Sequence, residues 1–217
     1  MKPARTTRLI LVRHGEVDAN RSYAYLGRRD DELNANGLAQ ARALAEAFNG
    51  TRVDRVVSSP LQRALVTAGA IAESLGAPVE IDHRLIELDF GSWEGRSRSE
   101  VIATGERERR AVEGWERDPA LPTPGGESLF DLQERVVGWA NDAAGHGAGD
   151  TVMMVSHMGP VKTLLCAALG LPLTSARRIF LDPATVSVVD WGDVPVVRLV
   201  NSHAHLGFSR ARWMNQP

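Results

Sequence analysis

The chain has a single cysteine, Cys166, among 217 residues. One thiol excludes an internal disulfide framework and any paired-cysteine metal or redox motif. Cys166 lies among Leu164, Leu165, Ala167 and Leu169 and is expected as a small buried hydrophobe. Lysine is almost as scarce. Only Lys2 and Lys162 occur, and the other basic residues are arginine, a bias read as genomic rather than functional. No apolar run approaches the ~18 residues of a membrane span. Met1 to Arg8 is basic, but Leu9 to Val12 is too short for a signal-peptide core. Net charge is -2 and the pI is near 6.3. No global basic field exists to hold nucleic acid or anionic lipid. A cytoplasmic protein with neither a nucleic-acid nor a membrane partner is the expectation.

What is present is ordinary globular material, with 43% hydrophobic and 24% charged residues. That excludes disordered, collagenous and low-complexity classes. A chain of this length buries roughly 70% of its extended-chain surface and needs no staple. No internal repeat or linker divides it, so one domain over 1–217 is expected.

Leu9-Ile10-Leu11-Val12 is a continuous apolar run that stops at Arg13-His14-Gly15, and such a run reads as a strand buried on both faces of a parallel sheet. Leu38 to Phe48 has helical spacing. Val53 to Val57 reads as a second strand. It ends at Ser58-Ser59-Pro60, a capped helix start, with a helix from about Leu61 to Leu75. Val79 to Ile81 and Thr151 to Val155 are further strands. The second of these runs through Ser156-His157 into an apolar helix over Val161 to Leu169. Thr185 to Asp190 and Val196 to Val200 flank Gly192-Asp193 as an edge hairpin. This alternation predicts a three-layer α/β/α sandwich with a mostly parallel central sheet and an antiparallel edge. The segment of about 96–124, dense in Arg and Glu, has two open readings, a solvated helical excursion or a small lid insertion over a site. A C-terminal tail is expected over about 207–217.

Ligands of an open α/β sheet bind at the carboxyl ends of its strands. Arg13 and His14 end the first strand, Arg63 follows the second, Glu87 the third, and His157 ends the fourth. Two guanidiniums and two imidazoles suit a phosphoryl dianion, since guanidinium forks match phosphate oxygens. Helix N-termini after Ser59 and His157 add N–H donors. A carboxylate there would repel phosphate, but it can serve as a general acid for the leaving oxygen. Neutral His14 is then free to act as a nucleophile. No GxxxxGK loop is present. Each residue alone is weak, and their joint placement carries the inference.

Leu11-Val12-Arg13-His14-Gly15-Glu16 resembles the signature of the histidine phosphatase superfamily, the phosphoglycerate-mutase-like enzymes. Asn20 stands six residues after His14, as that family's phosphate-binding Asn does. Leu33 to Ala41, Ser58 to Ala64, Leu85 to Gly95, Pro124 to Ser128 and Val155 to Gly159 resemble its further motifs in order, so the likeness runs from about Leu9 to Leu206. The resemblance implies His14 as phosphohistidine nucleophile and Glu87 as proton donor. It implies Arg13, Asn20, Arg63 and His157 around the phosphoryl group, and Leu26, Gly27, Arg98 and Met158 on the substrate side, with no metal or organic cofactor. Val17, Ala19, Leu26 and Met158 depart from common family residues. The first three belong to the substrate-side loop and leave the leaving group open.

The resemblance favours a metal-independent phosphomonoesterase for a small phosphorylated metabolite, with a homodimer allowed. A cofactor-dependent phosphoglycerate mutase is the alternative. Mutases carry a longer lid with a Lys and an Arg pair. Arg98 falls roughly where that Lys would stand, and Arg109-Arg110 resemble the pair. A non-catalytic phospho-ligand sensor is the third reading. Its usual mark would be loss of His14 or Glu87, and both are present. His203 and His205 form an H-x-H pair that reads as a strand end rather than a metal half-site. His83 and His146 are expected at the surface, and Asp89 in a turn or cap.

Overall fold

The fold is known from a computed structural model that describes residues 6–146 and 149–207. The expected tail lies outside the described residues from 208 onward, as do residues 1–5 of the basic N-terminus. In chain order the elements are β1 (Thr7–Arg13), α1 (Ala35–Phe48), β2 (Arg55–Ser58), α2 (Gln62–Leu75), β3 (Val79–Ile81), α3 (Arg98–Ala103), α4 (Glu106–Arg117), α5 (Leu129–His146), β4 (Thr151–Ser156), α6 (Met158–Ala168), β5 (Val186–Trp191) and β6 (Val196–Ser202).

The six strands form one sheet in the order β3-β2-β4-β1-β5-β6. β3, β2, β4 and β1 are parallel, while β5 and β6 run antiparallel at one edge. The apolar run of β1 explains why two helical layers are needed. Leu9 and Leu11 join the core under α5 and α6, whereas Ile10 and Val12 join the core under α1 and α2. Successive side chains of a strand point to opposite faces, so an unbroken apolar run requires a cover on each.

Register places the reactive strand ends together. Arg13 pairs with Ser156, and Ser58 with Val155, so β1, β2 and β4 stop at one rim. His14, Ser59 and His157 are the next residues along each chain segment.

The stretch over 96–124 is not a solvated excursion. α3 and α4 bury Val101, Val112 and Trp115 in the same core as α5 and α6. Their Arg and Glu residues pair on the outside, as in Arg110 to Glu106 and Arg117 to Glu113. α5 was not expected from the sequence. It buries Leu132, Val136, Trp139, Ala140 and Ala143 against the sheet. No helix among the described residues is long and apolar enough to cross a membrane.

Candidate active site

Arg13, His14, Asn20, Leu26, Gly27, Arg63, Glu87, Arg98 and Met158 all line one cavity of about 440 Å³. His157 stands behind that wall, fully buried, with its ring 5.1 Å from that of His14.

His14 is held from both sides of the chain. Its N–H donates to Ser156, and its carbonyl accepts from Ala184. Its Nδ1 lies 2.6 Å from the carbonyl oxygen of Gly15. A carbonyl only accepts, so Nδ1 carries the hydrogen and Nε2 keeps the lone pair. Gly15 is fixed in turn by Thr67, whose hydroxyl accepts from its N–H at 3.1 Å and donates to the Arg63 carbonyl at 2.7 Å. Gly15 and Gly37 let this loop meet the start of α1, because a Cβ on either would collide with the other segment's backbone.

Arg63 is fully buried in the first turn of α2. It donates from Nη1 to Arg29 O at 2.5 Å and from Nη2 to Gly27 O at 2.7 Å, so one guanidinium seats the 26–29 loop. Its Nε donates to His157 Nδ1 at 3.2 Å. His157 Nε2 meets Ser59 Oγ at 2.7 Å. Arg13 donates to Leu181 O at 2.6 Å. Burial pushes the proton affinity of both imidazoles well below the usual histidine range, and Arg63 and Arg13 push it further down. Both rings are therefore neutral at pH 7.

Glu87 reaches the same cavity from the loop after β3. Its carboxylate accepts from Gly159 N–H at 3.1 and 3.2 Å and from Leu88 N–H at 2.8 Å. Residue 159 must be glycine for that approach, because a Cβ there would collide with the carboxylate. Arg135 of α5 pins the loop by donating to the carbonyls of Arg84, Ile86 and Glu87, while it pairs with Glu127 at 2.7 Å. Asp89 caps Gly91 N–H at 2.8 Å and pairs with Arg28, the expected turn role.

On the outer side, Asn20 Oδ1 accepts from Val17 N–H at 3.0 Å in a short turn at the rim. Arg98 does not enter the cavity as a free cation. Glu116 engages it through two contacts of 2.6 and 2.8 Å. Arg109 and Arg110 are exposed, pair with Glu106, and lie outside the lining. Tyr25, Phe90 and Trp115 form an aromatic wall with centroids 4.9 to 6.0 Å apart. Arg177 lies 4.0 Å over the Trp115 ring. Sequence reasoning missed this wall, Arg177, Glu116 and Lys162. The signal for Lys162 was present, since it is one of two lysines in an arginine-rich chain.

Among the described residues, no group of three or more His, Cys, Asp or Glu side chains could hold a metal. His203 turns inward, with Nε2 2.8 Å from the buried Asp182 carboxylate. His83 is exposed, and the side chain of His146 lies outside the described residues.

A mostly parallel sheet that gathers Arg and His residues at its strand ends places the chain among α/β proteins with a candidate ligand site at the carboxyl ends of their strands. The profile of the histidine phosphatase superfamily (branch 1) matches residues 9–202, and the chain belongs to that superfamily. A bifunctional protein of Mycobacterium tuberculosis is 37% identical over 204 residues, covering 92% of this chain and 55% of that protein. The chain thus spans about half the length of such curated relatives. Phosphoserine phosphatase 1 of Hydrogenobacter thermophilus is 34% identical over 202 residues, covering 92% of this chain and 94% of that one. Among solved structures, a phosphoserine phosphatase mutant of Entamoeba histolytica with phosphoserine superposes with a TM-score of 0.82 at 29% identity. That match covers 93% of this chain and all of the other.

Proposed function

We propose that this chain is a metal-independent phosphomonoesterase that hydrolyses a small phosphorylated metabolite through a phosphohistidine on His14. The observation that carries the reading is the His14 tautomer. A buried neutral imidazole donates Nδ1–H to Gly15 O, which leaves the Nε2 lone pair on a cavity lined by Arg13 and Arg63. Nε2 attacks phosphorus and the bond to the ester oxygen breaks. Glu87 gives its proton to the leaving alkoxide. The Glu87 carboxylate then takes a proton from water, whose oxygen attacks phosphorus. The P–N bond breaks, and phosphate leaves with His14 neutral again. Arg13, Arg63 and His157 stabilise the equatorial oxygens, with Asn20 at the rim. Positioning and charge stabilisation carry most of phosphoryl-transfer catalysis.

The arginines of 96–124 favour hydrolysis over mutase chemistry. Arg98 is neutralised by Glu116, and Arg109 and Arg110 point to Glu106, so none of these three offers a free cation to clamp a phosphoglycerate.

The test is a phosphate-release screen without added metal, headed by phosphoserine and 3-phosphoglycerate, with 3-phosphoglycerate isomerisation followed in parallel. Release that survives EDTA, is abolished in His14→Gln, and leaves trapped label on His14 is expected. A His14→Gln enzyme within tenfold of wild type, or activity that needs a divalent metal, would overturn the reading.

A further inference from the structure

We propose that Lys162 selects the substrate's alcohol half, taking a carboxylate of a hydroxy acid on its ammonium. This rests on the phosphatase reading only in locating the leaving oxygen at Glu87.

The placement follows from α6. Lys162 lies four residues after Met158 and three after Gly159, so it neighbours each on the helix surface, and all three line the cavity. Gly159 N–H holds the Glu87 carboxylate. The Lys162 backbone therefore stands just under one helical turn, about 4.5 Å along the axis, beyond the glycine that holds Glu87. Its ammonium lies within electrostatic reach of both Arg13 and Glu87.

The other cations of the cavity have protein partners. Arg63 donates to Arg29 O, Gly27 O and His157, and Arg13 donates to Leu181 O. Glu116 neutralises Arg98, and Arg177 stacks on Trp115 while donating to its carbonyl at 2.7 Å. Lys162 has no hydrogen bond or ion pair among the described residues. Desolvation and the nearby Arg13 charge, only partly offset by Glu87, lower its pKa to about 8. A half-buried ammonium in that setting is stabilised by an arriving anion, which restores what burial removed. The chemistry also fits the residue type. An ammonium is a compact charge that follows a single carboxylate, whereas the guanidiniums at the strand ends fork onto phosphate. Tyr25, Phe90 and Trp115 line the same cavity as an apolar wall.

The test compares two esters that differ in one group, 3-phosphoglycerate and glycerol 1-phosphate, where the carboxylate becomes a hydroxymethyl. Binding of each to wild type, Lys162→Met and Lys162→Arg is measured by calorimetry, with turnover followed separately. Wild type is expected to prefer 3-phosphoglycerate. Lys162→Met is expected to lose roughly ten- to hundredfold more affinity for it than for glycerol 1-phosphate, the scale of a lost hydrogen bond to a charged group, and Lys162→Arg to regain part of the difference. Equal losses for both esters, or no preference in wild type, would overturn the assignment. Preference without turnover of either ester would leave Lys162 in place and count against the phosphatase reading instead.

Discussion

Arg63 Nε donates to His157 Nδ1 across 3.2 Å, and a guanidinium can only donate. The neutral ring of His157 therefore carries its hydrogen on Nε2, which meets Ser59 Oγ in this structure. The two imidazoles of the site thus hold opposite tautomers. His14 keeps a lone pair on Nε2, and His157 keeps a hydrogen there. In the proposed mechanism the first forms the bond to phosphorus and the second donates to an oxygen.

That relationship makes Arg63→Lys a severe change although it preserves charge. An ammonium cannot reach Arg29 O, Gly27 O and His157 Nδ1 together, so the 26–29 loop and the His157 tautomer both lose their anchor. kcat/KM for p-nitrophenyl phosphate is expected to fall roughly 10²- to 10³-fold, the scale of losing one preorganised oxyanion donor. Steady-state kinetics on folded protein, checked by circular dichroism, measures it. A fall of less than fivefold would show that the fork geometry is irrelevant.

The same buried rings fix the sign of an acid effect on stability. Both His14 and His157 are held neutral in the fold, by burial first and Arg63 next. Unfolded histidine takes a proton near pH 6.5, so below that pH the unfolded state binds more protons and stability falls on acidification. Above pH 6.5 neither ring contributes a slope. Between pH 6.5 and the lowered native values, each contributes a loss that approaches about 1.4 kcal/mol per pH unit. Urea unfolding of wild type and His157→Asn between pH 7.5 and 5 tests this. The variant should lose less stability than wild type over the acid part of the range, and parallel curves would refute the neutral buried ring.

Much of this site was legible because its residues sit where strands stop. The run Leu9 to Val12 ends at Arg13-His14, and Thr151 to Val155 leads into His157, so chain position alone put them on one rim. What was missed depended on helix starts. Pro160 and Gly159 look hostile to a helix, and a start at Val161 was expected. Helix N-termini tolerate both, because their first N–H groups have no intrahelical partner. With His157 as N-cap and Met158 as first residue, Lys162 falls on the cavity face. A start at Val161 hides that relation. No helix was expected after Gly126, yet Leu132, Val136, Trp139 and Ala143 repeat at helical spacing, and Arg135 among them braces the Glu87 loop. Arg98 was legible as a neighbour of the site but not as a paired one, because Glu116 lies on another helix, eighteen residues away.

Glu87→Gln separates proton donation from binding. The Gly159 and Leu88 N–H groups can both point at an amide oxygen, so glutamine fits with its NH₂ toward the cavity and the local shape survives. What disappears is the transferable proton. An alkoxide is a poor leaving group and needs that proton, whereas p-nitrophenolate departs without it. The rate of His14 phosphorylation by an alkyl phosphate such as phosphoserine is expected to drop by roughly 10²- to 10⁴-fold, the usual contribution of general acid catalysis, with a much smaller drop in the phosphorylation rate for p-nitrophenyl phosphate. In the proposed mechanism dephosphorylation of His14 also draws on this carboxylate as base, so the aryl substrate should show a burst of p-nitrophenol followed by a slow steady rate. Rapid-mixing kinetics on the two substrates reads both effects at once. Equal loss on both esters with no burst would remove Glu87 from the proton-transfer role and leave it as a brace for the start of α6.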